Sequence, residues 1–595
     1  MLKLPYGISN FIAIRKEHYV YLDRTPFIPT LEQAGKQLLF LRPRRFGKSL
    51  LLSMLNSYYD IKQADQFASL FGDLAIGQNP TSEQNQYLIL HWDFSAVSPQ
   101  GDVEQIKRSL FAHLNRSIEL FAATYQGYLT LPIHNDLNDG ITAFESLLNA
   151  VSHSGYQLYL LIDEYDNFAN EILMHNQGDK VRYSALLEGE GILKSLFKVI
   201  KARASQGSIA RVFITGVSPV VMSDMTSGYN VSKNISLEDE FNILCGMTET
   251  ELNTLVKPVL HTCQKEAAQP SVMDTLRQFY NGYRFSYDLN APRIYNPILC
   301  FHFLQAYQKS CAAPRQMLDG NLAMDKGRIR YIAGLAGGQA VIDRLLDEEN
   351  PSTLNELASD FGIGNLERVQ QDADYMLSLL YYFGVVTLDG VNEVGRLSLK
   401  IPNLVVRGLY LEELKRHALP DIRTEKTAQA IAEQFYQDAN VQALADFMEQ
   451  KYFKVFSNRD YRWSNELTIK TAFASLLYND LYYIMDSETA LARRYTDLIM
   501  IIRPNMRQYR GLQDIIFEFK YLSLSELNLT GEQLKNLSRE ALAQLPVVQA
   551  ALQDALRQLT HYRQVLTEKY QEPERLHALA VVALGFERVV WQVVN

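Results

Sequence analysis

Through residue 235 the chain alternates short apolar runs with stretches of helical period. Gln37–Leu41, Tyr87–Asp93, Gln157–Ile162 and Arg211–Thr215 are apolar runs of strand length, with helical patterns between them. That order predicts a parallel sheet with crossover helices, an α/β domain. From 236 to 430 helical spacing takes over. There Asp372–Tyr382 reads as an apolar-rich helix, and GVVTLDG and GRLSLKIPN behind it read as a two-stranded hairpin. A helix followed by a hairpin is the pattern of a winged helix. Residues 431–595 open with helices. Two β-type runs follow, Thr496–Ile502 and Asp514–Lys520, then a helix around Val547–Thr567 and a last apolar run, Ala578–Val594. Three domains are expected, at 1–235, 236–430 and 431–595, with no repeat, low-complexity tract or Pro/Gly/Ser linker between them.

Composition narrows the class. At 47% hydrophobic and 21% charged residues, the 595-residue chain can build several cores and cover them. A net charge of -9 does not advertise nucleic-acid binding, though it leaves room for a local basic groove. No run of about 18 apolar residues exists to span a membrane, and the N-terminus lacks the form of a signal peptide. Cys245, Cys263, Cys300 and Cys311 form no CxxC pair and no zinc spacing. Four reduced, mostly buried thiols in a cytoplasmic protein are expected.

Candidate chemistry begins at KQLLFLRPRRFGKSLLLSMLNSYY. An apolar strand runs into a tight loop, Arg42–Ser49, and Gly47, Lys48 and Ser49 open an amphipathic helix. Backbone N–H groups at such a helix start, helped by its dipole, cradle phosphate oxygens. This predicts an ATP site with Lys48 at the β- and γ-phosphates and Ser49 on Mg2+. Arg42 departs from the P-loop pattern, which has glycine there. Leu158–Asn167 supplies the other half, a buried strand ending in Asp163 and Glu164. Asp163 is expected to hold the magnesium through water, and Glu164 to orient or deprotonate the attacking water. The competing reading is a solvated acidic turn that caps a helix. Thr215 ends a further strand, as a γ-phosphate sensor or as a commonplace strand-end threonine. For Arg44 and Arg45 three readings stay open: phosphate contact, arginine fingers across an interface in a homo-oligomer, or salt bridges to neighbours.

YVYLDRTPFIPTL, FLRPRRFGKSLLLSML, LLIDEYDN and FITGVSP together resemble the bacterial AAA-ATPase-like family. Its P-loop reads RPRRFGK(S/T) and also lacks the first glycine. The likeness continues through Leu244–Leu252, Phe279–Phe285 and Ile294–Pro297, roughly the first half of the chain. It implies a P-loop NTPase fold and a nucleotide, not a pathway.

A second site lies in RRYTDLIMIIRPNMRQYRGLQDIIFEFKYL. Glu518 and Lys520 stand two apart on one strand and so share a face, and Asp497 starts the strand before it. If these strands pair, two carboxylates converge on a hard cation, Mg2+ or Mn2+, beside a lysine suited to phosphodiester hydrolysis. The plainer reading is an exposed strand of alternating charge. Against it, Glu518 and Lys520 interrupt a run that is otherwise fit for burial. The segment resembles the PD-(D/E)XK nuclease superfamily, which implies a C-terminal α/β nuclease-like domain. The resemblance also implies a metal-assisting role for Glu466 and, through a QxxxY feature, a part for Gln558 and Tyr562. Arg493, Arg494, Arg503, Arg507, Arg510 and Lys520 outnumber Asp497, Asp514 and Glu518, which predicts a positive surface for a phosphate backbone. An ordinary solvated hairpin is the alternative.

The whole reads as an ATPase whose nucleotide state controls a metal-dependent nuclease acting on nucleic acid, DNA rather than RNA. The rival is a conformational switch whose nuclease-like domain only binds nucleic acid or a protein. For the winged-helix pattern, packing on the ATPase core is favoured over DNA binding, because its wing is not basic. Asn281–Gly282 and Pro297 read as a turn and a helix start within segments that pack the middle region on that core.

Overall fold

The four apolar runs of the N-terminal region become β1 (Gln37–Leu41), β2 (Tyr87–Asp93), β3 (Gln157–Asp163) and β4 (Ile209–Gly216). The computed structural model describes residues 1–167, 170, 191–220, 229–318, 324–347, 350–359, 361, 372–455, 466–486, 490–491, 494–495 and 497–594. They fall into two compact units. The first is Met1–Ala313, Asp319–Val341 and Pro351–Pro402; the second is Pro314–Leu318, Ile342–Asn350 and Asn403–Asn595.

In the first unit β5 (Lys233–Asn234) joins the four strands in a parallel sheet ordered β2-β3-β4-β1-β5. Strands apolar on both faces need helices on both sides, and crossovers such as Lys48–Tyr59 and Gly140–Ser154 supply them. Because all the strands are parallel, their C-terminal ends share one edge. β4 lies between β1 and β3, so the loop after β1, the end of β4 and the acids after β3 sit side by side there.

The same unit carries the helix Ala373–Phe383 and a three-stranded antiparallel sheet of β6 (Ser352–Leu354), β7 (Thr387–Val391) and β8 (Leu397–Lys400), ordered β6-β8-β7. The helix and hairpin stand where the hydrophobic pattern put them. β6 was not legible, being three residues long. Gly282, at φ +108, turns the chain where an added Cβ would lie 2.0 Å from the Pro402 carbonyl oxygen, so only glycine fits. Pro297 opens the helix Pro297–Ser310, and the Asn296 side chain accepts from Ile298 N at 3.1 Å.

One expectation is overturned. Cys263 and Cys311 form a disulfide between the C-terminal ends of the helices Glu249–Thr262 and Pro297–Ser310, with 5.5 Å between Cα atoms. Their separation of 48 residues gives no sign of this, since the pairing depends on two helix ends meeting in space. Cys245 and Cys300 are buried free thiols.

The second unit is built on a mixed sheet ordered β15-β14-β13-β12-β9. Its strands are β9 (Tyr483–Asp486), β12 (Leu498–Ile502), β13 (Asp514–Leu522), β14 (Leu576–Leu584) and β15 (Arg588–Val594). A short ribbon of β10 (Ala490–Leu491) and β11 (Arg494–Tyr495) stands apart from it. β12 and β13 pair antiparallel with Leu498 opposite Phe517. β13 and β14 are parallel and are joined through the long helix Pro546–Tyr570. The last apolar run is thus two strands. Gly585 turns between them at φ +55, a local signal hidden by uninterrupted hydrophobicity. Leu552, Leu559, Tyr562 and Leu566 of the helix pack on Ile499, Ile501, Ile516 and Ala580. On the other face, Phe517 and Phe519 meet Phe473 at ring distances of 6.1 and 5.1 Å.

Candidate functional site

The loop after β1 closes on itself around Lys48. That side chain is buried, and its Nζ donates to the carbonyls of Arg42 at 2.9 Å and Pro43 at 3.2 Å. Burial lowers the Lys48 pKa, opposed by Asp163 and Glu164. Gly47 precedes the helix at φ +102, where a side chain would be strained. Arg45 also adopts a left-handed φ of 69°, and Arg44 Nη2 donates to Asn167 Oδ1 at 2.7 Å.

Asp163 and Glu164 end β3 with opposite environments. Asp163 is buried, and its Oδ1 accepts from Thr215 Oγ1 at 2.5 Å and from Glu164 N at 3.0 Å. Thr215 is itself fully buried, so its hydroxyl is aimed at the carboxylate. Glu164 is half-buried in a left-handed conformation, φ 49. Burial raises its pKa, and Lys48 opposes the rise.

Sequence reasoning passed over Asp166 in the same motif. It accepts from Val217 N at 3.0 Å, Ser218 N at 2.7 Å and Ser218 Oγ at 2.9 Å, and so ties the loop after β3 to the end of β4. The third acid of DEYD was the available signal.

These groups border a cavity of about 510 Å³, within the size range of small-molecule sites. Arg44, Arg45, Lys48, Ser49, Glu164 and Asn167 are among its polar lining; Pro5, Ile8, Pro297, Ile298 and Phe301 add apolar surface. Asp163 and Thr215 are not in that lining. An anionic tail on an apolar ring system matches this division, and the loop carbonyls that now hold Lys48 would release it to a phosphate. Apart from Leu50, the apolar contributors come from two distant segments, Pro5–Ser9 and Pro297–Phe301, which no local pattern announces.

In the second unit the strand pairing carries Asp497 toward Glu518. Lys520 Nζ lies 3.4 Å from both Glu518 Oε1 and Glu466 Oε1, and the buried Lys470 lies 3.9 Å from Asp497 Oδ1. Asp497 Oδ2 accepts from Phe519 N at 2.7 Å. Burial, then the neighbouring Asp497, holds the Glu518 carboxyl well above the usual carboxylate range. For Lys520 burial works against the charge, but Glu466 and Glu518 outweigh it and raise the pKa.

Glu518 Oε2 is buried without a hydrogen-bond partner. An orphaned carboxylate oxygen beside a second carboxylate suits a divalent cation. Among the described residues no three His, Cys, Asp or Glu side chains gather into a complete metal cage. The donor set present is therefore two carboxylates, with Glu466 engaged by Lys520. Tyr562 lies in the core under the sheet, and half-buried Gln558 lies 3.4 Å from Asp554 Oδ2.

The expected positive surface does not form from the described residues. Arg503 is 1% exposed and donates to the carbonyls of Arg315, Asp480 and Pro314. Arg507 pairs with Asp514 and Glu572, and Arg510 lies 3.6 Å from Glu572. Arg493 and the Arg494 side chain lie outside what is described. Counting charge along a hairpin misses acids and carbonyls that the fold brings from elsewhere. Among the described residues no helix is long and apolar enough to cross a membrane.

Residues 5–226 match the family described as predicted AAA-ATPase, and residues 464–592 match the PD-(D/E)XK nuclease superfamily. The chain thus carries one region similar to predicted AAA-ATPases and another similar to the PD-(D/E)XK nuclease superfamily. The chain is also 25% identical over 545 residues to an uncharacterized protein in the vnfD 5′ region of Azotobacter chroococcum mcd 1, covering 90% of this chain and 92% of that one. Among solved structures, the Aeropyrum pernix ORC1 protein in complex with DNA aligns at 11% identity and a TM-score of 0.26, over 69% of this chain and 94% of that one. Cdc6p from Pyrobaculum aerophilum aligns at 12% and 0.25, over 68% and 98%. At such scores neither likeness carries functional weight.

Proposed function

We propose that the first unit binds ATP with Mg2+ and hydrolyses it, and that its nucleotide state controls a metal-dependent nuclease in the second. The observation that carries the ATP reading is Lys48 held by its own loop carbonyls on a cavity that Glu164 also lines. A triphosphate offers Lys48 better acceptors than two carbonyls. Ser49 and Asp163 are the residues to hold magnesium, which supplies charge neutralisation at the phosphates. Glu164, whose pKa burial raises, would take a proton from the attacking water.

In the second unit Asp497 and Glu518 would hold Mg2+ or Mn2+, which polarises a phosphodiester and acidifies water. Lys520 stabilises negative charge developing there, and Gln558 and Tyr562 lie on the helix that packs against the sheet. The substrate in this reading is nucleic acid, DNA before RNA, in a cytoplasmic protein that can assemble with its own copies. The three-part division at 235 and 430 is part of this proposal, with the middle region as the regulatory element.

A second reading has a specific observation behind it. Lys520 lies between Glu466 and Glu518, and the arginines nearby are paired. A nuclease-like domain that only binds a partner fits that state as well. The deciding experiment incubates the full chain with DNA and RNA panels, Mg2+ or Mn2+, with and without ATP. Lys48→Ala is expected to lose nucleotide binding, Glu164→Gln to keep binding and lose turnover, and Lys520→Ala to keep nucleic-acid binding and lose cleavage. Wild type that binds nucleic acid but cuts none under any condition leaves the binding-only reading.

A further inference from the structure

Arg42 stands where a P-loop ordinarily has glycine, and its surroundings are unusual for an arginine. The residue is 1% exposed. Nη1 donates to the carbonyls of Leu41 at 2.9 Å and Ser236 at 2.6 Å, and Nη2 donates to that of Phe241 at 2.7 Å. The guanidinium lies over the rings of Phe40 at 4.4 Å and Phe285 at 4.2 Å. Among the described residues no carboxylate pairs with it, and Nε has no partner. Burial lowers its pKa only to about 10, so it stays a cation at neutral pH.

A buried cation without a counter-ion is costly, and an apolar side chain of similar size is often no worse for stability. Something other than stability must account for it. Its backbone indicates what. Arg42 N donates to Gly216 O at 3.1 Å, at the end of β4, and Arg42 O is one of the two carbonyls that hold Lys48. Phe285 belongs to the middle segment. That segment also meets the loop through Phe46, whose ring is 4.9 Å from Tyr283 and 5.4 Å from Phe285. Further on, Arg284 N donates to Thr387 Oγ1 of β7 at 2.9 Å, and Tyr381 OH to Arg284 O at 3.2 Å.

We propose that Arg42 is a positioning residue for the phosphate loop, with Phe285 as its partner, so that phosphate affinity depends on the middle segment being docked under the loop. Its uncompensated charge raises the potential where phosphates would sit, and its three carbonyl bonds fix the loop's entry. This rests on the ATP reading above.

The test measures binding of ATP, ADP and adenosine to the full chain by calorimetry, alongside thermal unfolding, for wild type, Arg42→Met and Phe285→Leu. Arg42→Met is expected to unfold no earlier than wild type yet to bind ATP at least tenfold more weakly. ADP should suffer less and adenosine not at all. Phe285→Leu should weaken ATP several-fold and add nothing when combined with Arg42→Met. A purely structural role predicts the reverse: earlier unfolding with unchanged affinity in the folded protein, and that result overturns the proposal. So does an equal loss for adenosine. Should Arg42→Met fail to fold, Phe285→Leu decides alone, and an unchanged ATP affinity there refutes the partnership. Wild type that binds no nucleotide would instead sink the ATP reading.

Discussion

Glu518→Gln should stabilise the metal-free protein while destroying its response to divalent cations. The substitution keeps the shape and removes a charge. In the folded chain that charge is 3% exposed and leaves Oε2 without a hydrogen-bond partner, and among the described residues Lys520 at 3.4 Å is its ion-pair partner. Burial and Asp497 raise the carboxyl's pKa above its ordinary 4.5. A folded value above the unfolded one means that ionisation costs stability. The penalty is absent below the unfolded pKa, grows as pH rises, and is complete above the folded pKa. A tenfold change in proton affinity is worth about 1.4 kcal/mol, so a change of only about a hundredfold would make the variant about 3 kcal/mol more stable at high pH, less the weak Lys520 pair. Differential scanning fluorimetry of the full chain in chelator, at pH 5 and pH 9, reads this out on the transition of the second unit. The expected gain is small at pH 5 and largest at pH 9. Added Mg2+ or Mn2+ should raise the wild-type transition and leave the variant where it was. A variant less stable than wild type at pH 9, or a pH-independent difference, would show that the Glu518 carboxylate is well paired and that the orphaned oxygen was misread.

Thr215→Val removes the hydroxyl that donates to the buried Asp163 carboxylate at 2.5 Å. A hydrogen bond to a charged group is worth about 1.5–3 kcal/mol, so urea unfolding should show a loss of that size and ATP turnover should fall with it. A variant with wild-type stability would mean that Thr215 is incidental. Cys263→Ser opens the loop of 48 residues closed by the disulfide, which should cost about 2–4 kcal/mol. Thiol reductant should lower the wild-type transition and not the variant's. Lys470→Met leaves Asp497 without the ammonium at 3.9 Å and should tighten Mn2+ binding several-fold by calorimetry. Unchanged affinity would leave Lys470 as a core residue.

The sequence alone determined the elements that local physics controls. Four apolar runs of strand length gave the main strands of the parallel sheet nearly residue for residue, because a strand buried on both faces has no polar positions to blur its ends. The spacing of Glu518 and Lys520 likewise put both on one face of one strand, and the antiparallel register brought Asp497 beside them. Tertiary structure decided whatever depended on residues far apart in the chain. The disulfide joins two helix ends, most of the apolar side of the cavity comes from residues near 5 and near 300, and Glu572 pairs with Arg507 and Arg510, two of the arginines that had read as a basic surface. Arg42 shows the divide most clearly. As a letter in the motif it is a departure from glycine. Only the fold, by stacking Phe285 against it and aiming three carbonyls at its guanidinium, gives that cation a place to sit. Periodicity records the environment of an element one residue at a time, whereas ion pairs, stacked rings and cavities are properties of pairs that only the folded chain brings together.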